Sequence, residues 1–185
     1  MTLPVTGSQT VGPYFRIGMA LLFREDLASE GVSGVRVTIH GRVLDGDGAP
    51  IPDATIEIWQ ADAQGKYFGT EFTEQTSFRG FGRVPTNDRG EFRFITIKPG
   101  SVAGPSDSVQ APHLVVLVFM RGLLRHLVTR IYFADEAANQ SDPILKLVPA
   151  ERRHTLLAKR ETADAATFAW NVRLQGDDET VFFDV

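Results

Sequence analysis

The stretch Gly41 to Gln60, GRVLDGDGAPIPDATIEIWQ, decides the fold. Its Asp45-Gly46-Asp47-Gly48 segment is turn chemistry: glycine supplies positive φ and aspartate tolerates it. After the turn, Ala54, Ile56 and Ile58 alternate, with Thr55 and Glu57 facing the other way, the period-two pattern of a strand. Val35, Val37 and Ile39 alternate in the same way just before the stretch. Further on, Asn87-Asp88-Arg89-Gly90 is a second turn, and Phe92 and Phe94 open a third strand. Leu114 to Phe119 is short and continuously apolar, which suits a strand buried on both faces. Phe168, Trp170, Val172 and Leu174 alternate in a late strand. Many short strands with turn signals between them predict an all-β protein, a β-sandwich of short strands in mixed topology.

Two helical pieces are expected beside the strands. Asp26 to Glu30 suits a short turn of helix, and Pro149 to Arg160 a longer one, with proline near its start and Leu156 and Leu157 inward. Gly12-Pro13-Tyr14 interrupts any helix at the N-terminus, so the first ~20 residues read as an extended arm. The segment Lys98 to Pro112 is a long loop, and loops of that length in compact domains are usually functional or mobile.

With 185 residues and 43% apolar side chains, one domain with a real core is the default. The net charge is −4 and no basic run occurs, which argues against nucleic acid and anionic membrane as partners. No segment reaches the roughly 18 apolar residues of a membrane span. Cysteine is absent, which excludes disulfides and thiolate chemistry and fits a cytoplasmic protein.

Three blocks now stand in order. GRVLDGDGAPIPDATIEIWQADAQGKY begins at Gly41, FRGFGRVPTNDRGEFRFITIKPG at Phe78, and APHLVVLVFMRGLLRHLVTRIYF at Ala111. Together they closely resemble the intradiol ring-cleaving dioxygenases. That resemblance implies a β-sandwich and a ferric ion held by two tyrosines and two histidines, hard anionic donors plus imidazole. Tyr67, closing WQADAQGKY, occupies the first tyrosine position. No tyrosine follows Lys98-Pro99-Gly100 before Tyr132, so the second is missing. His113 opens the histidine pair, whose i, i+2 spacing puts both side chains on one face of a strand. Val115 stands in place of the second histidine, and Gln110 in place of an arginine that precedes the pair. Read from the residues alone, Tyr67 is a half-buried tyrosine at a strand end and His113 a hydrogen-bonded core histidine. Those readings are favoured over metal binding.

The departures match the two-chain members of the family. SQTVGPYF (Ser8 to Phe15), APH, RG (Arg121-Gly122), HLVTRIYF (His126 to Phe133), RRHTLLAKR (Arg152 to Arg160) and ETVFFDV at the C-terminus are similar to their alpha chain. This implies a homologous beta chain that carries the non-haem Fe(III), a cleft shared between the chains, and a higher α/β oligomer. It implies cleavage of 3,4-dihydroxybenzoate (protocatechuate) by O2. Residues 1–185 would form one domain, with residues 1–30 as an arm packing on the partner. Two positions carry over as substrate-binding: Tyr14 toward the shared cleft and Arg121 near the substrate carboxylate. A carboxylate buried at an interface needs a cation, and a guanidinium pairs with it in a fixed fork. The alternatives are a surface arginine and an interface tyrosine.

His126 and Arg130 read as structural or interfacial, and His40 and His154 as ordinary surface or strand residues. Tyr14, Phe15, Phe68, Phe72 and Phe78 are candidate interface aromatics, with the domain's own core as the alternative for each phenylalanine. Two other readings compete. A self-sufficient enzyme with an altered iron site would draw on Asp107, the one further donor in the Lys98 to Gln110 loop. A non-enzymatic β-sandwich binding module would have no reason to carry WQADAQGKY or the TIKPG to APH run.

Overall fold

The structure is a computed structural model describing residues 5–28, 30–68 and 78–184. Helix α1 (Pro13–Met19) runs into a 3-10 turn (Ala20–Leu22). The strands that follow are β1 (Arg36–Leu44), β2 (Thr55–Gln60), β3 (Phe81–Pro85), β4 (Glu91–Ile97), β5 (Val102–Ala103), β6 (Val109–Gln110), β7 (His113–Phe119), β8 (Leu127–Phe133), β9 (Leu157–Arg160), β10 (Thr167–Ala169) and β11 (Val172–Arg173).

Two layers form. One holds β3-β2-β7-β8-β9, antiparallel except where β8 meets β9 in parallel. The other holds β4-β1-β10, with β11 beside the far end of β1. β9 pairs antiparallel with β10 and connects the layers. The inward rows interdigitate: Val37, Ile39, Val43, Phe92, Phe94 and Phe168 from one layer meet Ile56, Ile58, Leu114, Val116, Val118, Ile131 and Phe133 from the other. This is the predicted all-β sandwich with mixed pairing. Arg24 to Leu27 links the two open edges: Arg24 bonds to Arg83 of β3, and the Leu27 amide donates to the Ile95 carbonyl of β4 at 2.8 Å.

Several local expectations change. Residues 13–19 are helical, because proline at the first helical position lacks only an N–H that would have no partner there. Among the described residues, 5–12 of the arm lie outside any helix or strand. Asp26 to Glu30 shows no helix among its described residues; Asp26 instead bridges to Ile95. Pro149 to Arg160 splits into a 3-10 helix (Ala150–Leu156) and strand β9, where Leu157 pairs with Tyr132. The late strand breaks at Trp170 and Asn171. There the Trp170 amide donates to the His40 carbonyl, and Asn171 Oδ1 accepts from the Arg42 amide. The Trp170 carbonyl lies where a side chain at Gly41 would begin, so β1 needs glycine at that point. Val35 is exposed and precedes β1. Strand β7 alternates buried and half-buried residues and so is not buried on both faces. Thr55 and Glu57 do face away from the core, yet both are buried, because β2 is a central strand and Arg83 of β3 covers Glu57 with an ion pair at 2.5 Å. The long loop contains the small β5–β6 hairpin, with Asp107 exposed at its tip.

Candidate functional site

The outward faces of β2, β7 and β8 carry the positions of interest. Pairing places Trp59, Val115 and Arg130 on one cross-strand rung, and His113 opposite Tyr132 on the next. Directly paired side chains on one face touch. Tyr67 reaches this surface from the turn after β2, its ring 6.3 Å from that of Trp59.

The turn itself is held by Asp62. Its Oδ1 accepts from the amides of Gln64 and Lys66, both at 2.9 Å, and its carbonyl accepts from Gly65 and Gly100. Gly65 has φ +80°, and the Ser101 carbonyl lies where its Cβ would be. The WQADAQGKY turn thus lies flat against the KPG turn, which brings Tyr67 beside the sheet. Tyr67 is half-buried, and burial raises its phenol above the ordinary value while the Arg130 charge opposes that rise.

His113 is 3% exposed and stacks at 5.6 Å on Tyr132. Its Nδ1 lies 2.7 Å from the Ala111 carbonyl, so Nδ1 carries the proton and Nε2 the lone pair. Burial lowers its pKa; the Ala111 bond opposes this and Arg130 adds to it, so the ring is neutral. The Tyr132 hydroxyl donates to Asp142 Oδ1 at 3.2 Å, and its pKa is pushed up to about 12, chiefly by burial. Asp142 is fully buried, and it also accepts from the amides of Ala111, Ile144 and Leu145. The sequence reading missed Asp142; its one signal is the turn-forming Asp-Pro dipeptide.

Arg130 lies amid these groups. Its Nη1 donates to Gln110 Oε1 at 2.7 Å and to the Tyr132 hydroxyl at 3.3 Å, and its guanidinium lies over Phe183 at 5.9 Å. It faces Val115 and acts electrostatically on both Tyr67 and His113, a placement that the sequence reading did not give. The residues therefore do not fit a ferric ion. Tyr67 and His113 offer two donors, Val115 offers none, and the fixed positive charge of Arg130 acts on both donors. Among the described residues no cluster of three or more His, Cys, Asp or Glu is placed to hold a metal.

Arg121 lies at the turn after β7. Its Nε donates to Asp53 Oδ2, and the side chain is 67% exposed. The arm runs beside it. Thr10 Oγ1 accepts from the Gly122 amide at 2.9 Å, Phe15 stacks on Phe119 at 5.3 Å, and a cavity of about 280 Å³ lies between Pro13, Phe15, Ile17, Asp53, Phe119 and Arg121. Tyr14 is 82% exposed and does not line that cavity. The GPYF and RG motifs are thus neighbours, but the two candidate side chains are not in contact through this cavity. His126 lies just before β8, its ring 5.3 Å from that of Phe119. Phe78 belongs to the core, Phe68 is exposed, and Phe72 lies outside the described residues. His40 and His154 each have an acidic neighbour that sequence did not signal, Glu161 at 2.8 Å and Asp178 at 3.2 Å.

Comparison with known proteins agrees with this geometry. A family model described as "Dioxygenase" matches residues 12–176. The chain is 44% identical to the protocatechuate 3,4-dioxygenase alpha chain of Burkholderia cepacia, over 100% of this chain and 99% of that one. It is 30% identical to the beta chain from the same organism, over 96% of this chain and 78% of that one. The dioxygenase domain of a dioxygenase–carbohydrate-binding fusion from Streptomyces sp. SirexAA-E superimposes with a TM-score of 0.66 at 26% identity, covering 84% of this chain and 89% of that one. An intact sandwich, the WQADAQGKY and KPG turns packed together, and full-length similarity to an alpha chain lead to one conclusion: this chain belongs to the intradiol dioxygenase family.

Proposed function

We propose that this chain is the alpha subunit of a two-chain protocatechuate 3,4-dioxygenase, lining the cleft of a homologous iron-bearing beta chain in a higher α/β oligomer in the cytoplasm. The observation that carries the reading is an intact family fold whose ligand set is cut to Tyr67 and His113, with a guanidinium beside them. Such a chain needs a second, metal-holding chain to act.

The arm supports the same reading. Helix α1 has no buried residue, and Tyr14, Ile17, Leu21 and Leu22 are all exposed. A seven-residue helix is unstable in water without tertiary packing. Its apolar surface therefore suits residues 1–30 packing on the partner.

The non-haem iron, held in the partner, supplies activation of the catechol toward O2. This chain's residues bind and orient. Arg121 uses Nε for Asp53, which fixes the guanidinium and leaves its Nη groups for the carboxylate of 3,4-dihydroxybenzoate. Tyr14, at the exposed side of α1, lines the cleft from the arm.

The test is co-expression with an iron-ligating beta homologue. The expected result is co-purification and cleavage of protocatechuate with O2 uptake by the complex alone. A chain that stays monomeric beside that homologue at micromolar concentration would refute the reading.

A further inference from the structure

Three features of the degenerate cleft require a common explanation. His113 is hydrogen-bonded as a metal-binding histidine is: a backbone carbonyl fixes Nδ1–H at 2.7 Å and leaves Nε2 as the nitrogen with the lone pair. Tyr67 reaches the same face of the sheet beside Trp59, on a turn that Asp62 holds through two amide hydrogen bonds. Yet Arg130, directly across from Val115, puts a permanent cation close enough to act electrostatically on both.

Arg130 is not a loosely placed surface arginine. Its bond to Gln110 joins β6 to β8, its bond to Tyr132 lies along β8, and its contact with Phe183 adds the C-terminal segment. Tyr132 in turn is held by the buried Asp142. Strands and tail are thus tied together by one side chain.

We infer that Arg130 excludes metal from this cleft: its guanidinium takes over both the positive charge and the cross-linking that a bound cation would supply, so restoring the missing donor at position 115 does not by itself restore binding. The inference rests on the correspondence of Tyr67, His113 and Val115 to ligand positions, not on the alpha-subunit reading. It holds whether or not a beta chain is ever found.

The test uses the full chain without a partner and Co(II) as the probe, whose visible bands report coordination by nitrogen and oxygen. Val115→His supplies a second imidazole on the face of His113, since i and i+2 share a side of a strand. With Arg130 in place, V115H is expected to bind Co(II) no better than the unmodified chain. V115H combined with Arg130→Met is expected to bind one Co(II) about tenfold or more tighter than V115H, because a like charge at side-chain distance is removed. V115H combined with Arg130→Lys, which keeps the charge and loses the fork, should stay as weak as V115H. Arg130→Gln retains an amide donor toward Gln110 and Tyr132 and replaces the methionine variant if that one fails to fold by circular dichroism. Tight Co(II) binding by V115H itself overturns the inference whatever the double variants do. Equal affinity of V115H and its charge-free double variants overturns it as well.

Discussion

At the scale of single residues, charge placement separates two roles. Arg121 is an exposed cation fixed by one carboxylate, and Arg130 a cation held by Gln110 that acts on Tyr67 and His113. Arg121→Gln in the complex should raise KM for protocatechuate by an amount equivalent to roughly 1–3 kcal/mol, the value of a charge-assisted hydrogen bond. Catechol, which lacks the carboxylate, should be affected much less. Steady-state kinetics on both substrates checks this, and equal losses would remove the carboxylate role. Asp142→Ala is a prediction about stability. The buried carboxylate accepts from three amides and the Tyr132 hydroxyl, and its loss leaves those donors without partners. The cost should be about 3 kcal/mol or more, read from chemical denaturation, with the fold of the survivors unchanged. A loss under about 1 kcal/mol would mean that water replaces the carboxylate freely.

At the scale of elements, strands β1, β2 and β4 were legible from the alternation of their apolar side chains. Val37 and Ile39, Ile56 and Ile58, and Phe92 and Phe94 all alternate in sequence and all point into the sandwich. Elements whose partner lies far along the chain were not. Nothing near Trp170 signals that its carbonyl crosses Gly41, and that crossing is what divides the late strand. The N-terminal helix was hidden because Gly12-Pro13 reads as a breaker, although proline suits the first helical position. In the site, Tyr67, His113 and Val115 were legible from motif order. The placement of Arg130 was not, because it depends on the β7–β8 register, and Asp142 belongs to a loop with no periodic signal. Two turns make element-scale predictions. Gly65→Ala should destabilise by about 1–3 kcal/mol through positive φ and collision with the Ser101 carbonyl, with a matching fall in Tm. In the turn between β3 and β4, hydrogen bonds from Asn87, Arg89 and Arg42 lower the Glu91 pKa from 4.5 to about 2. A carboxylate depressed in the folded state contributes stability above its unfolded pKa and loses it as pH falls through the folded value. That contribution should be complete above about pH 4.5 and decline toward pH 2, with a native titration midpoint near 2 by carboxyl-carbon NMR. A midpoint near 4.5 would mean that these bonds do not persist in solution.

At the scale of the whole molecule, the sandwich is complete and the metal site is not. The core closes around two interdigitated apolar layers, while the arm exposes Tyr14, Ile17 and Leu21 and the outer face of β7 is half-buried. A chain built this way suits association more than independent chemistry. Truncating residues 1–22 should therefore leave the isolated sandwich folded, since Arg24 to Leu27 still closes its edge, and should weaken pairing with a beta homologue by about tenfold or more in a titration by analytical ultracentrifugation. The most direct test is the iron content and visible spectrum of the purified chain alone, set beside those of its complex with an iron-ligating homologue. The account predicts a colourless, iron-free chain, with tyrosinate-to-iron absorption and protocatechuate cleavage in the complex only. Stoichiometric iron and activity in the isolated chain would contradict it.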